Sequence, residues 1–197
     1  MGEVGNIFGE GVWCDGTVAY VAADYPGVYV VDVSDPRRPH LLLPEALGIP
    51  GEPPGRAVDV QVEDGLLYVA AEHRGIAIFD VDPPAASHLL GTLDTSFAQK
   101  IDVVDHMVYL VDDAGGLLVV DATDPQNMRI VGQCDTPGRA FGVDVDGRYV
   151  YVADGKEGLQ VVDLAPLTPT PGPTETPTIT PSPTATATPS RTVTPTP

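Results

Sequence analysis

Long apolar runs are missing from this 197-residue chain, and none approaches the roughly eighteen residues that a membrane-spanning helix needs. Basic residues are scarce: ten Lys and Arg stand against 28 Asp and Glu, for a net charge of −18. Such a body repels phosphate backbones and anionic lipid, which argues against nucleic-acid and membrane-surface binding. It suits a soluble surface module or one that meets cations. The two cysteines, Cys14 and Cys134, are too few for a disulfide scaffold, and their apolar-alternating surroundings predict two buried free thiols. His40, His73, His88 and His106 are the four histidines, and none stands at a zinc-ligand spacing; His73 and His106 read as turn residues at the surface. Serine is rare outside the C-terminal region, and no Gly-x-Ser-x-Gly elbow or phosphate-cradling glycine loop occurs, so hydrolase and nucleotide chemistry lack their usual parts. Met1–Glu10 has neither the basic start nor the apolar run of a secretory signal.

Repetition is what the chain has instead. Tyr20–Pro36 (YVAADYPGVYVVDVSDP) returns at Tyr68–Pro83, Tyr109–Pro125 and Tyr151–Asp163. Tyr20, Tyr68, Tyr109 and Tyr151 are 48, 41 and 42 residues apart. Each is followed at fixed distance by a glycine (Gly27, Gly75, Gly116, Gly158) and an aspartate (Asp32, Asp80, Asp121, Asp163). A period near 42 is that of a β-propeller blade. The longer first interval carries a Pro/Gly-rich insertion, Ala46–Gly55, that reads as a loop.

Inside a unit, alternating runs flank Asp15-Gly16, Asp64-Gly65 and Asp146-Gly147, a strong hairpin signal, with Asp105-His106 in the third copy. The repeat glycine supplies a turn conformation that other residues resist. Asp-Pro at 35–36, 82–83 and 124–125 stops the third strand, because proline cannot donate to a ladder. The chain reads as all-β, with units at roughly 9–50, 56–97, 98–138 and 139–165. The last unit lacks its fourth apolar piece, whereas Val4–Ile7 is similar to Val131–Cys134. Residues 1–8 are therefore expected to supply a fourth strand. That strand either closes a four-blade ring or belongs to a preceding blade of a larger propeller.

The motif in GVYVVDVSDP (27–36) and GLLVVDATDP (116–125), with the preceding DGTVAYVA (15–22) and DGRYVYVA (146–153), resembles the LVIVD repeat. The resemblance covers residues 1–165, implies a β-propeller on secreted or surface-exposed proteins, and brings no catalytic residues. Residues 166–197 are Thr/Pro-rich and resemble the stalks of bacterial extracellular proteins. Such a composition favours extended polyproline II over a packed core, with a reach of about 90 Å at ~3.1 Å per residue.

Carboxylates are the one abundant chemical resource. Asp144 with Asp146, and Asp112 with Asp113, are candidate calcium ligands, although no EF-hand pattern is present and aspartates are common in turns. Trp13 is a candidate ligand contact, weighed against a role in packing. The expected function is a non-enzymatic, extracellular or cell-surface module that binds a protein or carbohydrate partner at the envelope. The alternatives are a calcium-dependent carbohydrate-binding or enzymatic propeller, and a purely structural spacer.

Overall fold

A computed structural model describes residues 2–165 apart from Asn6 and Ala114. The Thr/Pro-rich segment at 166–197 lies outside the described residues. Among the described residues, fifteen strands form four antiparallel sheets, each a meander of sequential strands. The first comprises β1 (Gly11–Cys14), β2 (Val18–Ala22), β3 (Val28–Asp32) and the short β4 (His40–Leu41). The second comprises β5 (Asp59–Glu63), β6 (Leu66–Ala70), β7 (Ile76–Asp80) and β8 (His88–Leu93). The third comprises β9 (Ala98–Val104), β10 (Met107–Asp112), β11 (Gly116–Asp121) and β12 (Arg129–Cys134). The fourth has β13 (Gly142–Asp146), β14 (Tyr149–Ala153) and β15 (Leu159–Asp163). These are the blades of a β-propeller, and no helix among the described residues is long and apolar enough to cross a membrane.

Local chemistry sets each blade. The Asp-Gly turns place Gly16, Gly65 and Gly147 at positive φ, the conformation that matches a tight hairpin to the twist of its strands. Their tightness fixes register, so Cys14 sits opposite Ala19, Glu63 opposite Leu66 and Asp146 opposite Tyr149. The middle strands β6, β7, β10 and β11 are buried on both faces, which explains their near-continuous Val, Ile and Leu content. The Ala46–Gly55 insertion is more than a loop. Leu47 pairs with Val28 as a continuation of the two-residue β4, and Leu47 and Ile49 are both buried in the core.

The core divides into three seams, one between each pair of consecutive blades. The inner strands touch in sequence, β1 to β5, β5 to β9 and β9 to β13. No comparable packing joins β13 back to β1. The four blades therefore form an open arc. The expected fourth strand from residues 1–8 is corrected here: none of its described residues is in a strand, and β15 pairs with β14 alone. Gly2 packs instead against the Pro36–Pro39 turn and Gly9 against Val21, so the stretch lies on blade 1. A backbone held there cannot reach the edge of β15 at the other end of the arc.

Candidate functional site

The repeat landmarks all serve the blade. Tyr20, Tyr68 and Tyr109 are buried in successive seams, and burial pushes the phenols of Tyr20 and Tyr68 up to about 12 and raises that of Tyr109. Tyr151 occupies the same position on blade 4 but is only partly covered. Gly27, Gly75, Gly116 and Gly158 all have positive φ. A Cβ on Gly75 would stand 2.2 Å from the Leu93 carbonyl oxygen, and one on Gly116 2.4 Å from that of Cys134. The fourth strand thus closes over the turn. Each repeat aspartate caps the end of its third strand: Asp32 accepts the Ser34 N–H, Asp80 that of Asp82, Asp121 that of Thr123 and Asp163 that of Ala165.

Polar side chains stitch the seams unevenly. Asp59, Gln61 and Glu63, on one face of β5, all reach the backbone of blade 3. Asp59 accepts from Ile101 N–H at 3.0 Å, Gln61 exchanges two bonds with Val103, and Glu63 accepts from Asp105 and His106 N–H. Lys100 joins Asp59 at 2.6 Å. From β9 to β13 the same role falls to Asp102, which accepts from Val145 N–H at 2.7 Å. Between blades 1 and 2 an ionic clamp substitutes. Arg56 donates to Asp24 of blade 1 and to both oxygens of Glu72 at 2.8 and 2.9 Å, with Glu10 beside it. These neighbours, the Asp24 hydrogen bond foremost, hold the Arg56 guanidinium firmly protonated.

Arg139 repeats the clamp on Asp113 between blades 3 and 4. Sequence reasoning missed this pair of clamps, yet a signal exists. Arg56 and Arg139 each stand twelve residues before their repeat tyrosine, and Asp24 and Asp113 four after theirs. At the middle seam Phe97 takes the arginine position and meets His73 edge-on, with ring centroids 4.5 Å apart.

The calcium candidates are not brought together. Asp112 is buried and accepts from Phe97 N–H, Asp113 is paired with Arg139, and Asp144 and Asp146 stand exposed on β13. Among the described residues no group of three or more metal-ligating side chains converges. Trp13 packs into the seam between blades 1 and 2, tilted against Tyr20 with centroids 6.1 Å apart. Both cysteines are free, but only Cys134 is buried, which raises its thiol pKa; Cys14 is exposed, correcting the expectation of two buried thiols. Alternation placed Cys14 on a definite face of β1, and nothing among the described residues covers that face.

A cleft of about 370 Å³ opens where the linker from β8 to β9 passes the outer strands of blade 3. Asp94, Thr95 and Ser96 form its linker wall, and Asp112, Gly115 and Gln133 face them. The Thr95 hydroxyl is buried there without a hydrogen-bond partner among the described residues. A buried unmatched hydroxyl costs about 1–3 kcal/mol, so it is retained at a price in stability. The lining offers carboxylate and amide groups that can match hydroxyls or amides of a ligand.

The LVIVD repeat family model matches residues 9–43, 54–95, 97–136 and 137–168, one match per blade. The chain belongs to the LVIVD repeat family. Among solved structures it is similar to the crystal structure of the computationally designed Ika4 protein, with a TM-score of 0.63 at 13% identity over 82% of this chain and 94% of that one. It is similar also to the computationally designed Ika8 protein, with a TM-score of 0.63 at 12% identity over 83% of this chain. It spans 48% of the Ika8 chain, about half its length. Identities this low concern the fold alone. No curated protein sequence matches the chain.

Proposed function

We propose that this protein is a non-enzymatic, extracellular or cell-surface binding module, with the propeller presenting a ligand site and the Thr/Pro-rich segment serving as its stalk. The observation that carries the reading is the cleft beside Asp94, Thr95, Ser96 and Gln133, an opening lined by hydrogen-bonding groups. The partner class is a carbohydrate or an extended peptide, whose hydroxyls or amides would pair with the exposed Asp94 carboxylate and Gln133 amide. The acidic balance favours neutral or cationic partners over anionic ones.

Affinity electrophoresis of the full chain through gels containing soluble polysaccharides, paired with a peptide array, tests this reading. Retention by one class, abolished in the Asp94→Ala/Gln133→Ala variant with its fold intact, is the expected result. Turnover of a model glycoside or ester by the purified chain would overturn the non-enzymatic assignment. Protease shaving of intact source cells tests display: the chain should be lost while a cytosolic marker survives.

A further inference from the structure

The ends of the arc present faces that elsewhere in the molecule are always covered. On blade 4, Leu159 is 57% exposed, whereas Val28, Ile76 and Leu117, which hold the same place in blades 1–3, are fully buried. Tyr149 is 39% exposed where its counterparts Val18, Leu66 and Met107 pack into the seam ahead of them. On blade 1, Val12 is 67% exposed, while its counterparts Val60 and Ile101 are 5% and 4% exposed in the seams behind them. Phe8 is 73% exposed and holds the position of Arg56, Phe97 and Arg139, the residues that clamp each blade to the one before.

The backbone groups match as well. Asp144 occupies the place of Gln61 and Asp102, whose side chains take the N–H groups of Val103 and Val145. The corresponding residue of blade 1 is Cys14. By the alternation of the ladder its N–H points off the free edge of β1, since Asp15 bonds inward to Val18. Lys156 likewise stands in the place of His73, on which Phe97 rests, and so faces the position that Phe8 would fill.

We propose that these two faces are the halves of one seam, and that a second copy of this chain supplies each missing half. Blade 4 of one copy packs on blade 1 of the other, and the reverse contact closes the pair. Within one chain the two faces do not meet. A head-to-tail contact made twice leaves neither end uncovered, which is the condition for a closed assembly rather than a filament. The N-terminal stretch covers only part of blade 1, and the inner region carrying Val12 is bare. Asp144 accepts the Cys14 N–H of the second copy, Leu159 and Tyr149 cover its Val12, and its Phe8 stacks on Lys156.

Native mass and sedimentation of the full chain should give twice the chain mass, and Val12→Asp or Leu159→Asp should each return it to a single chain with an unchanged circular dichroism spectrum. Both substitutions fall on exposed positions, so the blade itself has no reason to unfold. Asp144→Cys supplies an independent readout, because the introduced thiol would face Cys14 across the seam. Mild oxidation should then yield a covalent two-chain species that is absent from the Cys14→Ser/Asp144→Cys protein. A single-chain mass at about 100 μM, well above the μM limit for interfaces of standard size, would overturn the proposal. So would a disulfide formed within one chain, which would mean that the arc closes on itself, or an open-ended polymer.

Discussion

The Tyr68 hydroxyl lies 2.9 Å from His106 Nδ1, joining the heart of blade 2 to the first hairpin of blade 3. That hairpin has His106 where the other copies have glycine, and both Asp105 and His106 adopt positive φ. A bulky residue in that conformation costs about 1–2 kcal/mol. The imidazole contact and the bonds from Glu63 to the Asp105 and His106 N–H groups offset it. His106→Gly removes the strain but strands the phenol of a fully buried tyrosine. It should therefore destabilise by about 1 kcal/mol, and Tyr68→Phe in the same chain should restore most of the loss. A denaturant double-mutant cycle reads the coupling.

The repeat glycines divide into two kinds. Gly75→Ala meets both a positive φ and the Leu93 carbonyl, and should cost more than about 4 kcal/mol or prevent folding. Gly158 has positive φ but nothing within 4 Å of an added Cβ, so Gly158→Ala should cost only the backbone strain, about 1–3 kcal/mol. Urea midpoints of the two variants provide the comparison.

Removing Arg56 leaves Glu72, itself 7% exposed, without its guanidinium partner. Arg56→Ala should lower stability by about 2 kcal/mol, discounted from the buried-pair range because the arginine is one-third exposed. Arg139→Ala, at a 62% exposed side chain, should cost under about 1 kcal/mol. Equal losses would contradict the difference in burial between the two clamps.

Asp32, Asp121 and Asp163 have carboxyl groups held below the usual 3.8. The principal causes are the Ser34 hydroxyl, the Thr123 hydroxyl and the Ala165 N–H respectively. Folding favours their charged forms, so their contribution is complete above 3.8 and is lost as the pH falls through the lower folded-state values. Thermal midpoints should be flat near neutrality and decline below about pH 4. Asp121→Asn, which can still accept the Thr123 N–H, should make the decline shallower.

Millimolar calcium should leave the melting midpoint unmoved, since Asp112 and Asp113 already have protein partners and Asp144 and Asp146 stand elsewhere. Thr95→Val should raise that midpoint and leave retention on ligand unchanged, because it deletes a buried hydroxyl that has no partner among the described residues. Differential scanning fluorimetry with and without ligand checks both.

Most of the blade was legible because its landmarks act locally. An Asp-Gly turn, a glycine at positive φ and a capping aspartate each impose geometry within a few residues, whatever the rest of the chain does. The seams were harder to read, for they depend on how one sheet sits against the next. Alternation assigns Cys14 and Val12 to one face of β1 without saying whether that face is covered. Val4–Ile7 looked like a strand because four residues are similar to Val131–Cys134, but a strand is made by a free edge within reach, and that edge was at the far end of the arc. Thr95 and Gln133 lie 38 positions apart, so only the folded chain brings them to one cleft.

The uneven stitching between inner strands has a kinetic meaning. Blades that touch only their neighbours behave as a short one-dimensional lattice, in which each link sets where opening begins. The bonds from Asp59, Gln61 and Glu63 make blades 2 and 3 the stiff link, while among the described residues a single side-chain-to-backbone bond, accepted by Asp102, ties the inner strand of blade 4. Amide exchange should accordingly be fastest in β13–β15 and slowest in β6 and β10, with the molecule fraying inward from an end rather than melting as a unit.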